Sequence, residues 1–246
     1  MIDDHELRAR AAALGVTEDQ IRRDHLLSHL ISALENLPAV AFIGGTALNR
    51  THLVGRRLSE DLDLYLTDDQ LAVETVLQHL VTATRREFPD LRAIDRNRRE
   101  DVTTVWLRDS GPAVKTQLIA RRHEWSLLQY EPTPVRLFYS DLPETVTLLV
   151  PTRAAFTSMK LTAYTERRSP RDLYDLSGLL VRGRLPSGTI RHVRHLLGRD
   201  LTLQEFPGPP GPDEWEAELR HQVRDLDPVE EAHRRVIAAI SAVFRG

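Results

Sequence analysis

The stretch AVAFIGGTALNRTHLVGRRLSEDLDLYL (residues 39–66) joins an apolar run, a glycine pair and an alternating acidic segment. Ala39 to Ile43 reads as a short buried strand, closed by Gly44 and Gly45. Two glycines let the backbone approach a ligand closely, because no Cβ stands in the way. Residues 46–54 are expected to turn as a short helix, whose first N–H groups are free to bind phosphate. Asp61-Leu62-Asp63-Leu64-Tyr65-Leu66 alternates in polarity and predicts a second strand. Side chains two apart on a strand share a face. Asp61 and Asp63 therefore point the same way, and are expected on an exposed strand edge facing the glycine turn. Magnesium takes one or two carboxylates and fills its shell with water and phosphate oxygens, which this pair allows. A glycine pair or an Asp-x-Asp alone is common; strand, glycine pair, helix, strand and Asp-x-Asp in this order form the specific signal.

Outward from this stretch, residues 4–14 read as a helix. Thr17 with Gln20 resembles a capping box opening a second helix to about Leu34. Residues 69–87 are helical by pattern. Leu91–Ile94, Val102–Leu107 and Ala113–Ile119 are β-like, with Gly111 and Pro112 marking a turn. Pro132, Pro134 and Pro143 argue for loops over 123–150, relieved by a short strand at Val146–Val150. From Pro151 the pattern becomes helical. Helices are expected over 152–167, over 170–182 behind Ser169 and Pro170, from Ser187 to Leu197, from Asp213 to about Asp225, and from Asp227 to the end. The proline–glycine stretch 207–212 reads as a stiff linker. The chain thus divides near residue 150 into an α/β (α+β) part, 1–150, and a helical part, 151–246.

Composition narrows the chemistry. The 246 residues hold no cysteine, which excludes disulfides and thiolate metal sites and suits a reducing cytoplasm. The polar start MIDDHELRAR has no apolar core of a signal peptide, and no apolar run is long enough to span a membrane. The formal net charge of −3 announces no polyanion ligand. Arginine, however, is clustered at Arg85, Arg86, Arg92, Arg96, Arg98 and Arg99, at Arg121 and Arg122, and at Arg153, Arg167, Arg168 and Arg171. These clusters either meet phosphates or form a solvated surface. Of 33 basic side chains only Lys115 and Lys160 are lysines. A compact ammonium on a flexible stem contacts a single phosphate oxygen in a way a planar guanidinium does not. The ten histidines show no HExxH-like spacing; His192 and His195 are read as surface residues.

GGTAL and RLSEDLDL, followed by Met159-Lys160-Leu161-Thr162-Ala163-Tyr164-Thr165-Glu166-Arg167 and Pro170-Arg171-Asp172-Leu173-Tyr174-Asp175-Leu176, resemble the signature of the AbiEii/MenT-type nucleotidyltransferase toxins, relatives of the DNA polymerase β-like superfamily. The resemblance implies a polymerase β-like core with a mixed sheet, then a helical C-terminal domain. It implies that Gly44, Gly45 and Thr46 cradle the phosphates of an NTP beside Ser59, and that Asp61 and Asp63 hold Mg2+ or Mn2+. Lys160 looks like the family's phosphate-contacting lysine, with Asp172 the acid near it. Arg171 and Asp175 are further candidates, Asp172 and Asp175 sharing one helix face. The implied activity is Mg-dependent transfer of nucleotides from NTP to the 3′ end of tRNA, held by its acceptor stem. A toxin blocking translation in this way, in the cytoplasm, has a cognate antitoxin. Ser59, two residues before Asp61, is a candidate regulatory phosphosite.

One departure stands out. The superfamily usually carries a third carboxylate on a later strand, and Val114–Ile119 has Gln117 where an acid is expected. Asp172 is the substitute this reading offers, or Lys115, on the Gln117 face, contacts the nucleotide or acceptor. Two alternatives therefore stay open: a small-molecule or protein acceptor, or a catalytically degenerate nucleotide-binding module.

Overall fold

The computed structural model describes residues 2–120, 122–180, 182–223 and 225–244, so Arg121 of the basic cluster lies outside the described residues. The chain forms two compact units. The first comprises residues 1–54, 58–122 and 131–150; the second comprises 55–57, 123–130 and 151–246. A single cut near residue 150 therefore misses two excursions, one of them the three residues just before the acidic segment.

The first unit begins with α1 (Asp4–Leu14) and α2 (Glu18–Ala33). The Thr17 hydroxyl accepts from the Gln20 backbone while the Gln20 side chain accepts from the Thr17 N–H, a reciprocal cap that starts α2. β1 (Val40–Ile43) follows, then α3 (Gly44–Arg50), β2 (Leu62–Leu66), α4 (Val73–Thr84) and the meander β3 (Arg92–Arg99), β4 (Val102–Arg108) and β5 (Ala113–Ile119). After α5 (His123–Ser126), which belongs to the second unit, β6 (Tyr130–Arg136) and β7 (Thr145–Pro151) complete one seven-stranded sheet in the order β3-β4-β5-β2-β1-β7-β6. The sheet is mixed. β1 is antiparallel to β2 and parallel to β7, and β2 is parallel to β5.

β2 is the middle strand of seven, so the acids do not lie on an exposed edge as expected. Asp63 sits between Ile43 of β1 and Gln117 of β5, and Asp61 just precedes the strand. β1 is buried along its whole length, as its unbroken apolar run requires. β5 alternates, with Val114, Thr116 and Leu118 buried and Lys115 and Gln117 half-buried on the opposite face. The strand the sequence shortened, β3, and the one it concealed, β6, are the sheet's two edges. β3 runs on through Asn97, Arg98 and Arg99 past a register shift after Ile94, exposing polar residues that discourage pairing with another chain. β6 holds Pro132 and Pro134, which an edge strand accepts because one flank needs no ladder donors.

α3 is pinned by charge. The Arg50 guanidinium, 4% exposed, donates to Asp24 of α2 at 2.7 Å and to the Arg136 carbonyl at 3.1 Å. The Tyr139 hydroxyl donates to the other Asp24 oxygen at 2.8 Å.

The second unit is helical: α6 (Arg153–Arg167), α7 (Pro170–Leu179), α8 (Thr189–Leu197), α9 (Pro212–Leu219) and α10 (Val229–Phe244). Its apolar core gathers Leu161, Tyr164, Leu173, Leu176, Trp215, Leu219 and Val236. Pro170 occupies the first turn of α7, where its missing N–H costs nothing, although Ser169 makes no side-chain cap bond. The stretch 207–212 is tied down by its carbonyls, Gly208 accepting from Tyr164 and Arg168 and Pro209 from Arg168.

Asp24→Ala strands the buried Arg50 charge. It is expected to cost about 3–5 kcal/mol, as removal of one partner of a buried ion pair does. Urea unfolding followed by circular dichroism measures it; a loss below about 1 kcal/mol, the scale of an exposed pair, would contradict the assignment.

Candidate active site

The predicted residues fall into two clusters, each within its own unit. The first is built on the β1–α3 turn. Gly44 has φ +77°, a left-handed conformation that disfavours side chains. It has a second reason to be glycine: a Cβ there would lie 2.1 Å from Asp63 Oδ2 and 2.8 Å from Asp63 Cγ. The carboxylate of β2 thus fills the space over the bare Cα. The turn is held from inside by Asn49, whose amide donates to the Gly45 carbonyl at 2.9 Å. Thr46, 1% exposed, donates to the Asp61 backbone carbonyl at 2.5 Å, and its hydroxyl is hydrogen-bonded to Ser59 Oγ at 3.0 Å. Glu60 is held by Arg23 of α2 at 2.7 Å. Backbone at Asp61 is therefore fixed while its half-buried side chain remains available.

Beside Asp63, in register, stands Gln117, whose amide reaches Thr104 of β4 at 3.5 Å. The residue expected to be a third acid is thus at the right place in the sheet and has the wrong charge for a metal ligand. Lys115 is two positions away on the same face, opposite Trp106, which is 36% exposed. The half-exposed face of the sheet carries Asp63, Gln117, Lys115 and Trp106.

The second cluster lies in the helical unit. Lys160 of α6 donates to Asp172 Oδ1 and Asp175 Oδ2 of α7, both at 2.9 Å. Arg57 clamps Asp175 with two bonds of 2.8 Å, its Nε on one oxygen and its Nη2 on the other. Arg167 holds Asp172 at 2.6 and 3.0 Å. Both acids are fully buried, and Lys160 is 11% exposed. Burial alone would raise the Asp175 carboxyl; the Lys160 ammonium and the Arg57 guanidinium outweigh it and hold the group far below the ordinary carboxylate range. For Asp172 burial is likewise outweighed, by Lys160 and Arg167. Asp172 therefore does not fit the part of a third acid that takes a proton from a hydroxyl: its oxygens are occupied and its basicity is lowered. An ammonium has three donors, and the two carboxylates use two of them. Arg171, half exposed, pairs with Glu218 at 3.2 Å.

Sequence reading missed Arg57 in this cluster, because its partner is 118 residues away. It also passed over His25 and His29, one helical turn apart on α2.

Comparison with known proteins places the chain. The model for the nucleotidyl transferase AbiEii toxin, of a type IV toxin–antitoxin system, matches residues 25–241. The chain belongs to the AbiEii toxin family. Its fold is similar to that of MenT4, a nucleotidyltransferase toxin from Mycobacterium tuberculosis H37Rv, with TM-score 0.69 and 19% identity over 97% of this chain and 89% of that one. Terminal uridylyl transferase 4 from Trypanosoma brucei with bound dUTP aligns at 13% identity over 88% of this chain and 64% of that one, TM-score 0.27. The cyclic dinucleotide synthase CdnE from Elizabethkingia meningoseptica, with GTP and Apcpp, aligns at 13% over 88% and 90%, TM-score 0.24. These last two are too distant in shape to bear on the site. No curated protein matches. As an AbiEii toxin the protein is a nucleotidyltransferase, and among its described residues no helix is long and apolar enough to cross a membrane.

Much of the arginine in this AbiEii chain is engaged with protein groups. Arg96 pairs with Glu74, Arg122 with Asp101, and Arg168 with backbone carbonyls. The clusters read from sequence are thus partly internal ties.

The Asp175 carboxyl predicts an acid response. Its native pKa lies below its unfolded value, so its contribution is complete above roughly pH 4. It is lost as the pH falls from there toward the depressed native value. Urea melts followed by tryptophan fluorescence, from neutral pH to about pH 3, should show wild type losing stability. Asp175→Asn should start about 3–5 kcal/mol lower and lose less on acidification. Identical acid losses in the two proteins would refute the role.

Proposed function

We propose that this AbiEii toxin transfers a nucleoside monophosphate from an NTP to the 3′ end of tRNA, so that the modified tRNA no longer serves translation. The observation that supports the reading most is the Asp63 carboxylate lying over the bare Cα of Gly44. It sets an acidic group against a turn whose backbone carries no side chain. Asp61 and Asp63 would hold Mg2+ or Mn2+, an oxygen-only donor set that suits a hard cation. When bound, such an ion offsets triphosphate charge and orients the leaving pyrophosphate. Gly44, Gly45 and Thr46 present backbone groups to the phosphates, and Thr46 keeps Asp61 in place through its carbonyl. Lys160, which looks like the family's phosphate-contacting lysine, keeps a third N–H that suits a phosphate oxygen, while Asp172 and Asp175 position it within the second unit. In the transfer itself the acceptor 3′ hydroxyl loses its proton to solvent, its oxygen bonds to the α-phosphorus, and the bond from that phosphorus to the bridging oxygen breaks to release pyrophosphate. Exposed arginines grip the acceptor stem through phosphates, with little reading of bases. A cognate antitoxin follows from the family's toxin–antitoxin setting.

Purified protein incubated with total tRNA, each labelled NTP and Mg2+ tests this. Label is expected on tRNA, and Asp61→Ala and Asp63→Ala should each lose at least about 100-fold in rate, Asp61→Ala while keeping the wild-type melting curve. Label on protein or a small molecule, with none on RNA, would replace the acceptor. Undiminished transfer by Asp61→Ala would remove the catalytic assignment.

The Ser59 hydroxyl bonds to Thr46, which in turn holds Asp61. A phosphate on Ser59 would place about two negative charges beside the acidic pair. Ser59→Glu is expected to abolish transfer and Ser59→Ala to retain it; full activity in Ser59→Glu would sink the phosphosite.

A further inference from the structure

α2 turns two histidines toward one point. His25 and His29, four residues apart, share a helix face, and their Nε2 atoms lie 3.1 Å from each other. Asp141, in the β6–β7 connection, brings its Oδ2 to 2.9 Å from His25 Nε2 and 3.2 Å from His29 Nε2. Glu87, just after α4, directs a carboxylate to the same place: one ligand atom from each of the four residues lies within 4.8 Å of all the others. The four come from three separate parts of the first unit and share no residue with the Gly44–Asp63 cluster.

We infer that His25, His29, Glu87 and Asp141 form a second, structural metal site that takes a borderline divalent cation of the Zn2+ class. The triangle of His25, His29 and Asp141 ligand atoms has sides of 2.9–3.2 Å. A tetrahedral zinc ion with bonds of about 2.0–2.1 Å sets its ligands roughly 3.3 Å apart, so these three atoms need a few tenths of an ångström of expansion, and Glu87, whose carboxylate lies within 4.8 Å of them, closes in as the fourth ligand. Two imidazoles with two carboxylates match zinc in donor type, whereas magnesium prefers oxygen ligands and retained water. Both rings present the same nitrogen, and a lone pair aimed at a common point is the form a metal uses. The rings of Phe88 and Tyr139 pack around the histidines, Phe88 at 5.6 Å from His25 and 5.3 Å from His29, and Tyr139 at 4.8 Å from His25. Asp141 is exposed and leaves the ion a path from solvent. Bound there, the metal ties α2 to the segment after α4 and to the β6–β7 connection.

Protein stripped with EDTA and dialysed against metal-free buffer is titrated with ZnCl2, and in parallel with MgCl2 and CoCl2. One tight zinc equivalent by calorimetry is expected, with a rise in melting temperature. Magnesium should give no tight equivalent, and cobalt should give the intense visible absorption of a tetrahedral site. His29→Gln and Asp141→Asn, both at partly exposed positions, should keep the metal-free melting curve, weaken zinc at least tenfold and lose the cobalt band. Weak zinc uptake spread over several equivalents would overturn the site, because ten histidines allow adventitious binding. So would equal zinc affinity in wild type and both variants. Asp61→Ala should leave zinc uptake unchanged, which separates this site from the proposed transfer chemistry; loss of zinc in that variant would also overturn it.

Discussion

The approach of the Asp63 carboxylate to the bare Cα of Gly44 is the constraint around which the first unit is arranged. β1 and β2 pair so that Ile43 faces Asp63. The chain must therefore leave β1 without a side chain at the next position and with a left-handed backbone. Glycine alone satisfies both demands. The same turn is then fixed from below by Asn49 and from the side by Thr46, and α3 is anchored by Arg50 in a buried ion pair. Strand pairing, turn conformation and the placing of two acids are one geometric requirement seen from three sides.

The second unit solves a different problem. It buries two carboxylates with two nearly buried cations, Lys160 and Arg57, and the more exposed Arg167. Desolvation makes such a cluster a poor source of net stability, while loss of one member is costly because the remaining charge stays buried. Its contribution is definition. A carboxylate gripped by a forked guanidinium on one side and an ammonium on the other has one arrangement, and Lys160 inherits that precision. The apolar core around Trp215 and Leu219 supplies the hydrophobic driving force that the charges do not.

The elements carrying periodicity were legible. The capping box at Thr17 and Gln20, the buried run of β1, the alternation of β5 and the proline start of α7 each rest on local chemistry, and each is present. Edge strands were the failure. The second half of β3 and all of β6 hide because an edge needs neither continuous apolar residues nor every backbone donor, so arginines and prolines pass for loop. Helix ends were overrun because residues past Thr84 and Leu219 keep a helical pattern while the chain there has already passed into turns. In the site, Gly44, Asp61 and Asp63 announce themselves because they are close in sequence. Arg57 does not, because its meaning depends on Asp175, and the spacing of His25 and His29 carries no metal signature until Asp141 and Glu87 arrive from far along the chain.

Family membership and nucleotidyltransferase chemistry were written in the sequence alone, because glycine pairs, Asp-x-Asp alternation and the two helical motifs are short-range patterns whose physics needs only neighbouring residues. Tertiary structure alone decided that β2 is the central strand, that Gln117 stands beside Asp63, that Asp172 is locked in an ion cluster and unfit to take a proton, and that two histidines meet two distant acids. Each of these depends on which segments pack together. Burial and long-range pairing determine whether a charged side chain is a ligand, a base or a clamp, and residue type and spacing do not encode either one.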